Sequence, residues 1–249
     1  MDLIIKNGTI VSPTATFKAD VCVDNGKIVA ITADAGTDAD KVVDASGKMV
    51  LPGAIDAHTH LAMPFGGTIS SDDYYAGTRA AACGGTTTVF DFILQDFGET
   101  MVDAIKRRDA LCAPDAAVDY AFHVAVKDVS NGLIDTIEDA VNYGVSSFKV
   151  FMVYDFGVTD GVFYKVLEKA KSCGAMISVH AENKQLIDVL TERYLSEGKT
   201  SAWYHYMSRP EFVEGEADIR AIQLAKSLDS KLYICLLYTS PSPRDRTRS

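Results

Sequence analysis

Several common features are missing from this 249-residue sequence, and each absence argues against a class of protein. No apolar run approaches the roughly 20 residues that a membrane-spanning helix needs, and the first residues do not form a signal peptide, so we expect a cytoplasmic protein. The five cysteines include no Cys-x-x-Cys pair, which argues against a zinc ribbon and a disulfide framework. Basic residues are too few to balance the acidic ones, and the formal net charge of -10 disfavours nucleic-acid and anionic-membrane partners.

The composition changes abruptly near the end of the chain. Overall, 47% of the residues are hydrophobic and 23% are charged, which is typical of a globular protein with one or two domains. Residues 235–249 are instead rich in Ser, Pro and Arg. Because Cys235–Asp245 look like a translated sequencing adapter, we interpret 235–249 as a non-native tail and expect the chain to be C-terminally truncated.

Residues 1–50 have the pattern of a small antiparallel β module. Short β-type runs alternate with turn signals, among them Asn7-Gly8 and Asn25-Gly26. Asn-Gly between apolar runs is a strong hairpin signal. The strands are too few and too short to be stable alone, so we predict that a second sheet or a neighbouring domain covers them.

From residue 51 onward, β-type and helical patterns alternate. Residues 70–73 are the predicted cap of a first helix that ends near Cys83, and the β-branched run 86–92 is the predicted next strand. The alternation continues as far as residue 234, where the sixth predicted strand ends. Such a pattern predicts parallel strands joined by right-handed crossovers.

Two histidines lie at the carboxyl end of the first of these strands. Side chains in a strand alternate between its faces, so His58 and His60 are predicted to point the same way. Two neutral imidazoles on one side form a metal-ligand pair. An isolated His-x-His is more often structural, but Pro52-Gly53 break the chain before an apolar run, and active sites in parallel α/β folds lie at carboxyl strand ends.

The motif at residues 52–60, Pro-Gly-x-Ile-Asp-x-His-Thr-His, is followed by Pro-Phe-Gly-Gly-Thr at 64–68. Together they resemble the start of the barrel in cyclic amidohydrolases, specifically the dihydropyrimidinase and D-hydantoinase family. The resemblance extends from residue 1 to residue 234. It implies a (β/α)8 TIM-like barrel over residues 51–234, incomplete here with six strands, preceded by part of a small β-sandwich domain over residues 1–50.

Lys149 and His180 are the other predicted metal ligands. Lys149 lies in an apolar run, where burial would lower the pKa of its amine and allow carbon dioxide to form a carbamate. From the residues alone, a lysine that reaches solvent and a simply hydrogen-bonded histidine are open alternatives. The resemblance implies two divalent metal ions, expected to be zinc. His58 and His60 would bind one, His180 the other, and N6-carboxylated Lys149 would bridge them.

The resemblance also implies residues that contact the substrate. Tyr154, five residues after the bridging lysine, would bind the substrate and stabilise an oxyanion, although a rim aromatic is the alternative from sequence alone. Phe65 and Phe156 are expected pocket walls. Asp91 is expected to support the metal ligands, and His123 to be structural.

The implied reaction is metal-dependent hydrolysis of a cyclic amide, in which a dihydropyrimidine or hydantoin ring opens to an N-carbamoyl amino acid. An allantoinase-type ureide hydrolase is the alternative. A dihydroorotase is disfavoured because Ala62 stands where those enzymes have an arginine. A non-catalytic dihydropyrimidinase-like scaffold is disfavoured because His58, His60, Lys149 and His180 are all present.

The expected partner is a small cyclic ureide or amide, with no nucleic acid and no membrane, and the family resemblance implies a homo-oligomer, specifically a tetramer. In the family, a further metal histidine follows the sixth strand, where this sequence has Cys235–Leu237. The family's catalytic aspartate follows the eighth strand. We therefore expect residues 1–249 by themselves to be inactive.

Overall fold

A computed structural model of the chain describes residues 1–237. It contains two compact units, Met1–Ala54 and the residues from Ile55 onward. Most of the predicted non-native tail, residues 238–249, lies outside the described residues. Within residues 1–237, no helix is both long and apolar enough to cross a bilayer.

The first unit is a five-stranded sheet. Its strands are β1 (Leu3–Val11), β2 (Thr16–Asp24), β3 (Lys27–Thr32), β4 (Lys41–Asp44) and β5 (Met49–Val50). They lie in the order β3-β2-β1-β4, and β5 also pairs with β1. The β1-β2 and β2-β3 pairs are antiparallel, whereas β4 and β5 run parallel to β1. The sheet is therefore mixed, and the prediction of an antiparallel module was wrong for these two strands.

The two Asn-Gly signals have different outcomes. Asn25-Gly26 lie between β2 and β3 and turn the chain, as predicted. Asn7-Gly8 instead lie inside β1, where the register with β2 shifts. Asn7 has a φ of 63°, and its backbone N–H donates to a carboxylate oxygen of Asp20 at 2.8 Å. This contact makes a bulge where the sequence predicted a turn.

Apolar side chains of this sheet remain exposed on β3 and β4. Ile28 is 67% exposed and Val29 57% exposed, and Val42 and Val43 are also exposed. Burial of apolar surface is the main source of folding free energy, so a sheet with this much uncovered surface is poorly stabilised by itself. The exposure is consistent with the prediction that a second layer covers these strands.

The second unit is built on a six-stranded parallel sheet. Its strands are β6 (Ala54–Thr59), β9 (Thr86–Leu94), β10 (Asp119–Ala125), β11 (Ser147–Phe151), β12 (Met176–His180) and β13 (Leu232–Ile234), in that order across the sheet. A short hairpin of β7 (Pro64–Phe65) and β8 (Thr68–Ile69) follows β6. The sheet curls into part of a (β/α)8 barrel, which confirms the predicted fold class.

Helices connect the strands and cover the outside of the sheet. They are α1 (Tyr74–Cys83), α2 (Met101–Cys112), α3 (Thr136–Tyr143) after a 3-10 turn at Ser130–Asp135, α4 (Asp160–Ser172), α5 (Lys184–Ser196), α6 (Ala202–Met207) and α7 (Glu211–Leu228). Asp73 caps α1 by accepting a hydrogen bond from Ala76 N at 2.7 Å, as the sequence predicted. The sequence did not predict α6.

The core lies between the sheet and the helices. Phe148 and Val150 of β11 and Ile177 of β12 are fully buried, as are Phe163 and Leu167 of α4. Parallel strands buried in this way need no alternation of polar residues, which explains the nearly continuous apolar run of β11. The carboxyl ends of all six strands lie along one edge of the barrel, where the predicted ligands are found.

Candidate active site

His58 and His60 meet at the carboxyl end of β6. Their ring centroids are 5.0 Å apart in an edge-to-face arrangement. Phe92 of β9 contacts both rings, with centroid distances of 4.5 Å to His58 and 4.9 Å to His60. The two-residue repeat of side chains in a strand and the contact with Phe92 place the two imidazoles side by side.

Electrostatics keep both imidazoles neutral. Burial lowers the pKa of His58 to about 4, and a positive charge on the neighbouring Lys149 lowers it further, against the opposing effect of Asp56. Burial also lowers the pKa of His60, against the opposing charge of Asp91, and the charges of Lys149 and Arg108 add to the effect of burial. A neutral imidazole has a free lone pair on one ring nitrogen, which is the form that binds a metal ion.

Lys149 lies on β11 with its side chain inside the barrel. The residue is only 2% exposed, so the solvent-reaching alternative is wrong. Its Nζ lies 5.4 Å from the ring centroid of Phe92 and 5.0 Å from that of Phe151. Its hydrogen-bond partner is Cys235 Sγ at 2.7 Å, and it forms no ion pair with a carboxylate within residues 1–237. Burial lowers the pKa of this amine, against the opposing effect of Cys235.

His180 has different neighbours. Its Nε2 lies 3.0 Å from a carboxylate oxygen of Glu182, and Arg209 Nε lies 3.4 Å from the other oxygen of that carboxylate. The ring of His180 stacks on Tyr154 with centroids 5.8 Å apart, and it lies 6.1 Å from Phe151. Among residues 1–237, no group of three or more His, Cys, Asp or Glu side chains is arranged to hold a metal ion.

Tyr154 connects His180 to an aromatic wall. Its ring lies 5.3 Å from that of Phe65 and 5.5 Å from that of Phe156. Burial, followed by the charge of Glu182, raises the pKa of Tyr154, so the phenol stays protonated and can donate a hydrogen bond. The residue has a φ of 70°, a left-handed conformation that is uncommon for tyrosine and recurs at functional sites.

A buried ionic network supports the chain just after His60. Asp91 is fully buried and accepts hydrogen bonds from Leu61 N at 3.0 Å, Tyr74 Oη at 2.6 Å and Arg108 Nη2 at 3.0 Å. Arg108 also donates to the carbonyl oxygens of Leu61 and, at 3.2 Å, of Ala62. The network therefore holds both the backbone N–H and the carbonyl oxygen of Leu61, the residue that follows His60. Its geometry is consistent with the predicted supporting position of Asp91.

The sequence analysis missed Tyr74 and Arg108. A signal for Arg108 does exist, because the buried face of α2 runs through Met101, Ala104, Ile105, Arg108 and Cys112 at helical spacing. An arginine at a core position of a helix requires a buried acidic partner. Tyr74, the first residue of α1, gave no comparable signal.

His123 joins three strands. Its Nδ1 lies 2.7 Å from Ser147 Oγ of β11, and its Nε2 lies 3.0 Å from the carbonyl oxygen of Ala57 in β6. Both ring nitrogens are therefore occupied by neighbours within the sheet. This agrees with the structural role expected from the sequence.

A parallel barrel whose carboxyl strand ends carry these histidines and this lysine is the architecture of the amidohydrolases. The sequence profile of the amidohydrolase family matches residues 49–221. The chain belongs to this family, which is metal-dependent.

Within the family, the similarity is to D-hydantoinases and dihydropyrimidinases. The chain is 43% identical to D-hydantoinase of Geobacillus stearothermophilus, covering 94% of this chain and 50% of the relative. It is 40% identical to dihydropyrimidinase of Dictyostelium discoideum, covering 93% of this chain and 47% of the relative. These matches confirm the resemblance found in the sequence. The chain spans about half the length of the curated relatives that it matches.

Solved structures agree with the sequence matches. A D-hydantoinase structure superposes with a TM-score of 0.91 at 41% identity, covering 94% of this chain and 51% of the other. The dihydropyrimidinase from Brevibacillus agri NCHU1002 gives a TM-score of 0.90 at 45% identity, with the same coverage of both chains. The fold described here is therefore the fold of the corresponding half of these enzymes.

Proposed function

We propose that the protein carrying this site hydrolyses a cyclic amide, opening a 5,6-dihydropyrimidine or a hydantoin ring to an N-carbamoyl amino acid. The observation that carries the proposal is Lys149, a lysine only 2% exposed that has no carboxylate partner among residues 1–237 and lies near two neutral histidines. An ammonium in such a place is unfavourable, whereas a neutral amine is not. The chemistry that benefits from a neutral buried amine is carbamate formation.

The residues fit a pair of divalent metal ions once this lysine is carboxylated. The neutral amine would attack carbon dioxide, forming an N–C bond and releasing a proton, so that a potential cation becomes an anion. This carbamate would supply the anionic oxygen ligand that the three histidines do not provide. His58 and His60 would hold one ion, His180 the other and Lys149 would bridge them, with zinc the expected metal for such nitrogen and oxygen ligands. When bound, the metal ions lower the pKa of a bound water and polarise a carbonyl group.

The chain's own residues would position the substrate. The protonated phenol of Tyr154 would donate a hydrogen bond to the carbonyl oxygen as negative charge develops there. Phe65 and Phe156, whose ring centroids are 6.3 Å apart, would exclude water from one side of the ring. In the overall reaction, water adds to the carbonyl carbon, the ring C–N bond breaks, and the leaving nitrogen takes up a proton.

The domain limits, partner and location remain predictions. The limits are a partial β-sandwich domain over residues 1–50, a partial amidohydrolase barrel over 51–234 and a non-native tail over 235–249. A small cyclic amide or ureide is the proposed ligand, and the names of the relatives favour hydantoins and dihydropyrimidines over allantoin. Assembly as a homo-oligomer, specifically a tetramer, is supported by the family resemblance alone. A cytoplasmic location is supported by the features of the sequence described above.

The test combines metal content with turnover. Because the chain spans about half the length of its relatives, both are measured on the chain itself and on the chain extended with the C-terminal half of the Geobacillus stearothermophilus enzyme. Substrates are dihydrouracil, hydantoin and allantoin. In the extended protein, we expect Lys149→Ala to abolish turnover and to remove the bound metal pair.

The matched control is Lys106→Ala, which removes an exposed lysine of α2. It should leave both metal content and turnover unchanged. Retention of two metal ions and normal turnover by Lys149→Ala would contradict the proposal. An extended protein that folds but binds no stoichiometric metal would favour the scaffold alternative.

A further inference from the structure

A cleft of about 270 Å³ lies beside the candidate site. The loop Met63–Gly66, Phe92 and Phe156 form its apolar walls. It is next to the predicted ligands, because Phe92 contacts His58 and His60. Phe65 and Phe156 also contact Tyr154. A molecule bound at the site can therefore extend into this cleft.

Three cationic side chains line the cleft, and two of them are paired. Arg108 Nη2 lies 3.0 Å from Asp91, and Arg107 Nε lies 2.8 Å from Glu99. Lys127 forms no ion pair within 4.0 Å in residues 1–237. Its Nζ instead lies over two aromatic rings, 5.1 Å from the centroid of Phe97 and 5.9 Å from that of Phe156.

The carboxylates near Lys127 already have partners. Asp96, which also lines the cleft, lies 3.4 Å from Arg107 Nη2. Glu99 receives hydrogen bonds from Arg107 at 2.8 Å and from Asp96 N at 2.9 Å. Asp128 receives them from Ser130 N at 2.9 Å and from Gly98 N at 3.0 Å. Hydrogen bonds to these groups lower the pKa values of both Glu99 and Asp128, so both remain ionised. The Lys127 ammonium remains available to an anion that enters the cleft.

The backbone of Lys127 is held in place by a buried amide. Gln95 is fully buried, and its Oε1 accepts hydrogen bonds from the backbone N–H groups of Lys127 and Asp128, each at 2.9 Å. Its Nε2 donates to the carbonyl oxygens of Glu99 at 2.8 Å and Asp128 at 3.1 Å. A satisfied buried network of this kind is rigid, so the base of the lysine is fixed beside the cleft.

We propose that Lys127 binds a carboxylate carried on the substituent of the cyclic amide, and that it is a specificity-determining residue for acidic substrates. This inference rests on the proposed function. The preferred ligands would carry a short aliphatic chain ending in a carboxylate, with the chain against Phe65 and Phe156 and the charge at Lys127. The aromatic walls alone would not favour an acidic substituent over a neutral one. Lys127 would therefore determine the selectivity for acidic substituents.

The test measures binding to residues 1–249 by isothermal titration calorimetry. The probes are 5-(2-carboxyethyl)hydantoin and its neutral, equally large analogue 5-(2-carbamoylethyl)hydantoin. We expect the acid to bind about tenfold more tightly than the amide, as for one charge-assisted hydrogen bond in a partly open site. Lys127→Met should remove this preference without weakening binding of the amide, and Lys127→Arg should keep it.

The matched control is Lys106→Met, because Lys106 also lies over an aromatic ring, 5.8 Å from the centroid of Tyr143, but outside the cleft. It should leave both dissociation constants unchanged. Equal binding of the two probes, or a preference that survives in Lys127→Met, would overturn the role of Lys127 while leaving the proposed function intact. Equal weakening of both probes in Lys127→Met would overturn it as well. Failure of residues 1–249 to bind either probe would overturn this inference, whereas the proposed function is judged separately by turnover of the extended protein.

Discussion

The buried pair of Arg108 and Asp91 offers a sharp test of how the site is supported. Their side chains are 6% and 0% exposed, and Arg108 Nη2 lies 3.0 Å from the carboxylate. Arg108→Met keeps most of the apolar stem but removes the guanidinium. Asp91 would keep the hydrogen bonds from Tyr74 and Leu61, but its buried negative charge would have no cation beside it.

The magnitude follows from this burial. Removing one partner of a buried ion pair lowers the free energy of unfolding by about 3–5 kcal/mol, because the remaining charge cannot be solvated. The carbonyl oxygens of Leu61 and Ala62 would lose their donors as well, which places the expected loss toward the upper end of that range. A loss of about 4 kcal/mol changes the folding equilibrium roughly a thousandfold.

The assay is urea unfolding followed by circular dichroism, with the free energy taken from the midpoint and slope. Arg107→Met is the matched control, because the neighbouring Arg107 is 41% exposed and pairs with Glu99 at 2.8 Å. Its loss should be about 1 kcal/mol or less, as for exposed ion pairs. In the double variant Arg108→Met with Asp91→Asn, the orphaned charge is gone, so the destabilisation should be smaller than the sum of the two single variants.

An Arg108→Met variant that loses no more stability than Arg107→Met would refute the reasoning. So would strictly additive effects of the two substitutions in the network. Either result would mean that the Arg108–Asp91 contact does not support the backbone after His60.

Three further predictions concern other parts of the molecule. Tyr154→Phe should lower kcat of the extended protein by roughly a hundredfold with unchanged metal content, and a change in KM alone would reduce the residue to substrate positioning. Backbone hydrogen bonds from Asn7 and Ala35 hold the pKa of Asp20 in the folded protein below its ordinary value of 3.8. The ionised carboxylate therefore stabilises the fold above pH 3.8, and this contribution is lost as the pH falls through the lowered pKa. Thermal unfolding against pH should show a smaller acid-dependent loss in Asp20→Asn than in the wild type, and equal losses would contradict this role of Asp20. Burial raises the pKa of Asp218 to about 6, and its Oδ1 has no hydrogen-bond partner among residues 1–237. Stability should therefore fall as the pH rises from about 4 to about 6. Asp218→Leu should be more stable than the wild type at pH 8 in urea unfolding, and an unchanged pH profile would contradict this assignment.

Much of the second unit was determined by local sequence. The strand and helix alternation follows from hydrophobic periodicity, and Asp73 caps α1 because its side chain reaches a backbone N–H only three residues away. His58 and His60 lie side by side because a strand repeats every two residues. The apolar neighbours of Lys149 already indicated that its amine is buried. Each of these features depends on residues close together in the chain.

The remaining features depend on residues far apart in the chain, so only the tertiary structure could decide them. Asn7 forms a bulge rather than a turn because Asp20 on another strand takes its N–H. Arg108 joins the site through Asp91, 17 residues away, and through Leu61, 47 residues away. Lys127 lines a cleft whose apolar walls come from three separate parts of the chain, Met63–Gly66, Phe92 on β9 and Phe156. Local propensity carries no information about such pairings, because packing of the complete sheet and its helices sets which side chains meet.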